Sequence, residues 1–376
     1  MNELAIDDVA SLGARVKFLA LGSAACRCLN HFFLQQTCMS DLCLAVDTDL
    51  RCLESLDSSL AKYCFGKNVF RGLSSGGDEN LIKDVFDKAD PVIQTFCQKS
   101  DVLIVLAGLG GGTGSGMVIP TLQIAKQAGT FVLVISIMPF SFEGKNKSIK
   151  AQALLKAVQS LADLTVPFFN DILFQNLSDS STIKEAFCKG DDLLGQLTQS
   201  FFLSLTQVDT GAFVCNLSSF MQHFSNKPDS VFWGFGRGDG ENAVGKALKS
   251  VLECPSLKVR LDLAPIQSAF IYTNLTSDIT LTDLKNLNYE LQSFLGVPDL
   301  QILNNCHSNL GGIQKAEIFV LLSSCKKNLK AIRYKNKKQK SNSTSNIQIQ
   351  FDFETQGIES YWDTPTYLRL GLKLES

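Results

Sequence analysis

Apolar positions along the first half of this chain gather into short continuous runs, from Val16 to Leu21, Leu42 to Val46, Asp101 to Ala107 and Phe131 to Met138. Runs of this length, rich in Val, Ile, Leu and Phe, predict strands buried on both faces. Helix-like stretches separate them, notably Asn80 to Lys99 and Val118 to Ala128. Strand and helix in alternation predict a parallel sheet with helices on either side. From Thr182 to Leu205 the apolar residues Ile183, Phe187, Leu193, Leu194, Leu197 and Phe201 recur at helical spacing. That stretch is long enough to connect two domains. Beyond Gln207 the pattern predicts helices over Asp239 to Leu252 and Asp283 to Phe294, with strands over Ser268 to Thr273 and Ala316 to Ser323.

Between the third apolar run and its following helix lies Gly108-Leu109-Gly110-Gly111-Gly112-Thr113-Gly114-Ser115-Gly116. A glycine loop opening a helix after a buried strand exposes successive backbone N–H groups where the helix dipole also favours anions. It reads as a phosphate cradle. A dinucleotide fingerprint needs glycines at relative positions one, three and six, and a Walker loop ends in Gly-Lys-Ser/Thr. Neither fits, which argues against a nicotinamide-dependent enzyme.

The string Gly110-Gly111-Gly112-Thr113-Gly114-Ser115-Gly116 instead resembles the signature of the tubulin and FtsZ superfamily at every position. The resemblance to FtsZ, the bacterial tubulin homologue of the division ring, runs from about Val16 to Ser323. It implies an α/β fold: a parallel-sheet nucleotide-binding domain joined by a long central helix to a smaller α+β domain, then a flexible tail. The implied boundaries are 1–180, 181–206 for the helix, 207–325, 326–360 for a linker and 361–376 for a tail peptide. It further implies GTP or GDP as ligand with Mg2+ accompanying the nucleotide, no metal held by the protein alone, and head-to-tail self-assembly.

Site residues follow from the same resemblance. Gly110, Gly111, Gly112, Thr113, Gly114, Ser115 and Gly116 would hold phosphates. Pro139-Phe140-Ser141-Phe142-Glu143-Gly144-Lys145-Asn146-Lys147 is similar to the loop in which a Glu touches the ribose and an Arg the phosphates. Glu143 matches, while Lys147 keeps the charge of the arginine without its bidentate fork. Asn170-Asp171 resembles the family's Pro-Asn-Asp loop, with Phe169 in place of the proline. Phe187 and Asp191, four apart on one helix face, fall where the family stacks and reads guanine. Val46-Asp47-Thr48-Asp49 resembles the family's Val-Asn-Thr-Asp loop, with Asp47 at the asparagine position. Gly72-Leu73-Ser74-Ser75-Gly76-Gly77-Asp78, which holds Gly76, resembles its Gly-Leu-Gly-Ala-Gly-Ala-Asn loop; both are weaker matches than the phosphate loop.

Two departures stand out. The family's first loop is glycine-rich and ends in asparagine; here it reads Gly22-Ser23-Ala24-Ala25-Cys26-Arg27. Added Cβ atoms resist close backbone approach to a phosphate, and Arg27 at the asparagine position can only donate. In the family a neighbouring subunit completes the site with Gly-x-x-Asn-Val-Asp-x-x-Asp. This chain offers Gly211-Ala212-Phe213-Val214-Cys215-Asn216-Leu217-Ser218-Ser219, with Asn216 and Ser219 in place of both carboxylates. Losing a general base costs about 10²–10⁴-fold in rate. The sequence therefore points to an FtsZ-like GTP-binding filament protein with weakened or lost hydrolysis. Its alternative is a nonhydrolysing structural or regulatory partner of a conventional FtsZ.

Composition narrows the picture further. A net charge of −2 gives no global case for nucleic-acid binding. No apolar run reaches eighteen residues and the N-terminus lacks a signal-peptide pattern, so a cytoplasmic protein without membrane insertion is expected, and the FtsZ resemblance implies a place at the division site. The twelve cysteines form no Cys-x-x-Cys and read as reduced, buried thiols. Eight basic residues between Lys326 and Lys340 precede a Ser/Asn-rich stretch, which reads as a solvated tether. Trp362-Asp363-Thr364-Pro365-Thr366-Tyr367-Leu368-Arg369 resembles the FtsZ C-terminal peptide. By that resemblance Asp363, Pro365, Tyr367, Leu368 and Arg369 would dock on a membrane-tethering division protein.

Overall fold

The computed structural model describes residues 15–34, 39–86, 91–98, 100–177, 181–206, 220–222, 224, 228, 230–258, 266, 268–295, 301–307 and 314–324. In chain order the first half runs β1 Val16–Leu21, α1 Ser23–Leu34, β2 Cys43–Asp47, α2 Leu50–Glu54, β3 Ala61–Cys64 and α3 Lys67–Phe70. It continues through α4 Glu79–Phe86, α5 Pro91–Cys97, β4 Val102–Gly108, α6 Thr113–Gln127, β5 Phe131–Met138, α7 Lys145–Leu161 and β6 Leu164–Phe169. The long helix α8 spans Ile183–Thr206. After it come β7 Ser230–Asp239, α9 Ala243–Leu252, α10 Pro255–Lys258, β8 Ser268–Thr276, α11 Leu281–Leu295, β9 Gln301–His307 and β10 Lys315–Ser324.

The first six strands form one sheet in the order β3-β2-β1-β4-β5-β6, every pairing parallel. Along β1, β2, β4 and β5 the side chains sort by parity into two cores. Phe18, Ala20, Ile104 and Leu106 face α1 and α8. Leu19, Leu21, Leu103 and Val105 face the side carrying α4, α5, α6 and α7. Both faces are dry, so the strands show no polar alternation, as expected of a doubly covered parallel sheet. Each fully buried Leu or Phe contributes roughly 1.5–3 kcal/mol by leaving water.

Helix α8 starts with a reciprocal cap. The Glu185 carboxylate accepts from Thr182 N at 2.7 Å, and Thr182 Oγ1 accepts from Glu185 N at 3.2 Å. Its apolar stripe, Leu194, Leu197, Phe201 and Leu205, joins the α1 side of the first sheet. Phe201 also meets Phe319 edge-on at 5.1 Å, bringing the helix against the second sheet. That sheet has the order β7-β10-β8-β9, with β10 antiparallel to both neighbours and β8 parallel to β9. Phe270, Tyr272, Phe319 and Leu321 extend the core shared with α8. Ile271, Leu275, Ile318 and Val320 on the other face pack under α9 and α11.

Several expectations are corrected at this level. The single helix expected over Asn80 to Lys99 is two helices, α4 and α5. Helix α6 begins at Thr113, so only Leu109 to Gly112 remains as loop. Ser23 to Arg27, expected as a loop, is the start of α1. Asp239 ends β7, and the helix expected from that residue begins at Ala243.

Candidate functional site

In an open parallel sheet, ligands sit beyond the carboxyl ends of the strands where the strand order reverses. Here the reversal falls between β1 and β4, and the two chain segments leaving those strands are Gly22 and the Gly108–Gly112 stretch. They touch. A Cβ on Gly114 would run into the Gly108 carbonyl and lie 2.9 Å from the Leu21 carbonyl. Only glycine lets the first turn of α6 settle this closely onto both strand ends. Gly110 N donates to Ser115 Oγ at 2.8 Å, which ties the loop to the same helix turn. Gly116 N donates to the Gly112 carbonyl as α6 begins. A Cβ on Gly112 would strike Ser75 Oγ, so the 72–78 loop abuts the glycine loop, while Gly76 itself meets nothing within 4 Å. Gly111 is likewise open: nothing lies within 4 Å of a Cβ built there.

Around this opening the polar groups are paired. Thr113 Oγ1 lies 3.1 Å from Thr48 Oγ1, and both side chains are buried. Asp47, at the end of β2, is 2% exposed and accepts from Ser23 Oγ at 2.5 Å and Thr48 N at 2.7 Å. On the far side of the loop, Glu143 and Lys147 form an ion pair at 2.5 Å. The Glu143 carboxylate also accepts from Phe140 N at 2.8 Å. A Cβ on Gly110 would lie 2.6 Å from the Lys147 carbonyl. Lys147 thus stands directly over the loop. Asn170 is 9% exposed at the start of the 3₁₀ turn Asn170–Asn176. The next residue, Asp171, accepts from Ser141 N at 2.9 Å, joining that turn to the Glu143 segment.

Phe187 and Asp191 share one face of α8, as their spacing predicts. Phe187 stands perpendicular to Phe140 at 5.3 Å. The Arg27 guanidinium carbon lies 5.9 Å from the centre of the Phe187 ring, within cation–π reach. Arg27 Nε also donates to Asp191 Oδ2 at 3.4 Å. The second carboxylate oxygen accepts from Cys28 Sγ at 3.2 Å. One turn farther along α1, His31 Nε2 lies 2.9 Å from Asp192 Oδ1. Burial pushes the Cys28 and Cys26 thiols well up, and the carboxylates of Asp191 and Asp47, respectively, push them further. Neither thiol is a nucleophile at neutral pH.

The structure therefore gathers Gly22, Asp47, Gly110 to Gly116, Glu143, Lys147 and Asn170 at one edge of the sheet, with Arg27, Phe187 and Asp191 where α1 meets α8. Asn216 and Ser219, and the tail residues Asp363, Pro365, Tyr367, Leu368 and Arg369, lie outside the described residues. Sequence reasoning misses Thr48 and Cys28 as site groups, and does not connect Arg27 with Asp191. The signal for the last is the helical phase of residues 23–34, which turns Arg27 and His31 to one side.

Residues 11–178 match the family profile described as the tubulin/FtsZ family, GTPase domain. The chain carries a tubulin/FtsZ-family GTPase domain. The solved structures it is similar to carry the likeness past this domain, as a fold. An FtsZ dimer from M. jannaschii matches with a TM-score of 0.71 at 22% identity, over 85% of this chain and 90% of that one. CetZ2 from Haloferax volcanii, solved as a GTPγS-bound protofilament, matches with a TM-score of 0.65 at 16% identity, over 83% and 94%. TubZ from Bacillus thuringiensis serovar israelensis, a GTPγS-form protofilament, matches with a TM-score of 0.60 at 12% identity, over 82% and 88%. The tubulin/FtsZ-like fold thus covers the parallel sheet, α8 and the second sheet. Among the described residues, no three His, Cys, Asp or Glu side chains are grouped to hold a metal ion, and no helix is long and apolar enough to cross a membrane.

Proposed function

We propose that this chain binds a guanine nucleotide at the carboxyl edge of β1 and β4 and polymerises head to tail in the cell division ring. The observation that carries the reading is the open position at Gly111 in a glycine loop tied by the Gly110–Ser115 bond, with Lys147 packed against Gly110 and the buried Thr48–Thr113 hydroxyl pair at the start of α6. Backbone N–H groups at a helix start, two hydroxyls and one ammonium suit a polyphosphate. Mg2+ would accompany the nucleotide and offset its charge. Self-assembly draws support from relatives solved as a dimer and as protofilaments. Domain limits of 1–180, 181–206 and 207–325 follow, with 326–360 as linker and 361–376 as the peptide that meets a membrane-tethering partner.

Hydrolysis is weak or lost in this reading, because an amide and a hydroxyl at Asn216 and Ser219 cannot accept a proton near neutral pH. The test is phosphate release from GTP at rising protein concentration, with an Asn216→Asp plus Ser219→Asp variant alongside. The expected result is a near-silent natural protein and a variant that turns over. A specific rate that climbs with concentration in the natural protein would overturn the loss of hydrolysis and leave assembly standing. The same substitutions support a second reading, a nonhydrolysing partner that co-assembles with a conventional FtsZ. Sedimentation separates them, since pelleting without nucleotide, or only with added FtsZ, favours the partner.

A further inference from the structure

The meeting of α1 and α8 carries one more step, which rests on the guanine-nucleotide reading. A guanine is read by a carboxylate whose two oxygens accept from its N1–H and 2-amino group. Each oxygen of Asp191 already accepts one hydrogen bond here and keeps one further acceptor site. Oδ2 is engaged by Arg27 Nε and Oδ1 by Cys28 Sγ. The flat guanidinium also lies over Phe187, the ring against which a base would stack. Arginine is a donor throughout. Its Nε makes its one hydrogen bond among the described residues, so both terminal amino groups remain available as donors.

We propose that Arg27 is a specificity-determining residue: it competes with the purine 2-amino group for Asp191 and sets its own donors beside that acceptor. The base matched by this edge is a 6-oxopurine presenting an acceptor, or nothing, at position 2. Xanthine carries an oxygen at that position and hypoxanthine a hydrogen, whereas guanine carries an amino group that would face the guanidinium donor to donor. The phosphate cradle is untouched by this change, since Arg27 lies on α1 and points to α8 rather than toward Gly111. Binding through phosphates and discrimination among bases are therefore separable in this protein.

Arg27 is half-exposed, with 42% of its side chain open to solvent, so replacing it leaves the core in place. The experiment is competition against a fluorescent ribose-labelled GTP by GTP, xanthosine triphosphate and inosine triphosphate. It uses the full chain and its Arg27→Asn variant, with urea midpoints confirming that both are folded. For the natural protein, xanthosine triphosphate should compete at least as well as GTP, and inosine triphosphate within a few-fold. In Arg27→Asn the order should reverse, GTP leading xanthosine triphosphate by roughly 10–100-fold, the discrimination that one well-paired base edge supplies. A natural protein that already prefers GTP by such a factor, unchanged in the variant, overturns the role of Arg27 and leaves guanine binding intact. Probe that binds neither protein overturns the nucleotide reading itself, and this inference with it.

Discussion

The hydroxyls of Thr48 and Thr113 lie 3.1 Å apart with both side chains buried, linking the turn after β2 to the first residue of α6. One partner belongs to the glycine loop's own helix, the other to the turn after β2, so the two can be told apart by substitution.

Thr48→Val and Thr113→Val should each lower the unfolding free energy by about 1–2 kcal/mol, the cost of leaving one buried hydroxyl short of a partner. Urea denaturation measures this. Only Thr113→Val should also lose the rise in melting temperature caused by added GTP, because Thr113 lies on the loop side of the pair. Equal loss of that rise in both variants would remove the distinction.

Gly114 and Gly111 predict opposite behaviours. Gly114→Ala drives a methyl group into the Gly108 carbonyl and against that of Leu21, which are fixed strand ends. It should cost several kcal/mol, at or beyond the roughly 1–3 kcal/mol of ordinary overpacking. Gly111→Ala meets nothing and should keep the wild-type urea midpoint while weakening GTP at least tenfold by filling the cradle. Unfolding midpoint and nucleotide affinity, read on both variants, check the pair.

The cysteines make stability depend on alkaline pH. Burial pushes the Cys43 and Cys97 thiols from an ordinary 9.0 up to about 12. Unfolded, they ionise near 9; folded, they stay protonated. Their contribution is complete below pH 9 and declines between pH 9 and 12, with a slope of about 1.4 kcal/mol per pH unit for each thiol. Cys43→Ala and Cys97→Ala should each flatten the fall in urea stability between pH 9 and 11. Iodoacetamide at pH 8 should modify exposed Cys188 in the native state and spare Cys43 and Cys97, as peptide mass spectrometry would register.

Strand β7 carries Gly234, Gly236 and Gly238 at a two-residue period on the face beneath α9 and α10. A Cβ on Gly236 would strike the Ala247 carbonyl and lie 2.7 Å from Val251 N. Gly236→Ala should therefore destabilise by about 1–3 kcal/mol, visible as a lower urea midpoint with GTP affinity per folded molecule unchanged.

The same strand shows why part of this fold is hidden in the sequence. Trp233-Gly234-Phe235-Gly236-Arg237-Gly238 has glycines where strand formers are usual, and its meaning lies in a helix that approaches from elsewhere in the chain. β1 and β5 are legible to the residue because both their faces are dry and their composition alone marks them. β6 is not: Leu164–Phe169 includes Pro167 and follows directly on α7. At the site, the glycine loop is legible because its chemistry is local. That it sits beside β1 is not, since β4 is fourth in the chain yet central in the sheet. Arg27 stands out in the sequence at the right position but without its neighbours; its partner Asp191 is 164 residues away.

The last strand of the second sheet, β10, is also one of its two inner strands, hydrogen-bonded along its length to β7 and β8. During synthesis β7 and β8 leave the ribosome before the strand that will separate them exists. The six-stranded sheet has all its strands once Phe169 emerges, while the second waits for Ser324 with unpaired strand edges. A chain stopped short of β10 would thus join a finished first sheet to an unfinished, sticky second one, the ingredients of a co-translational quality-control substrate.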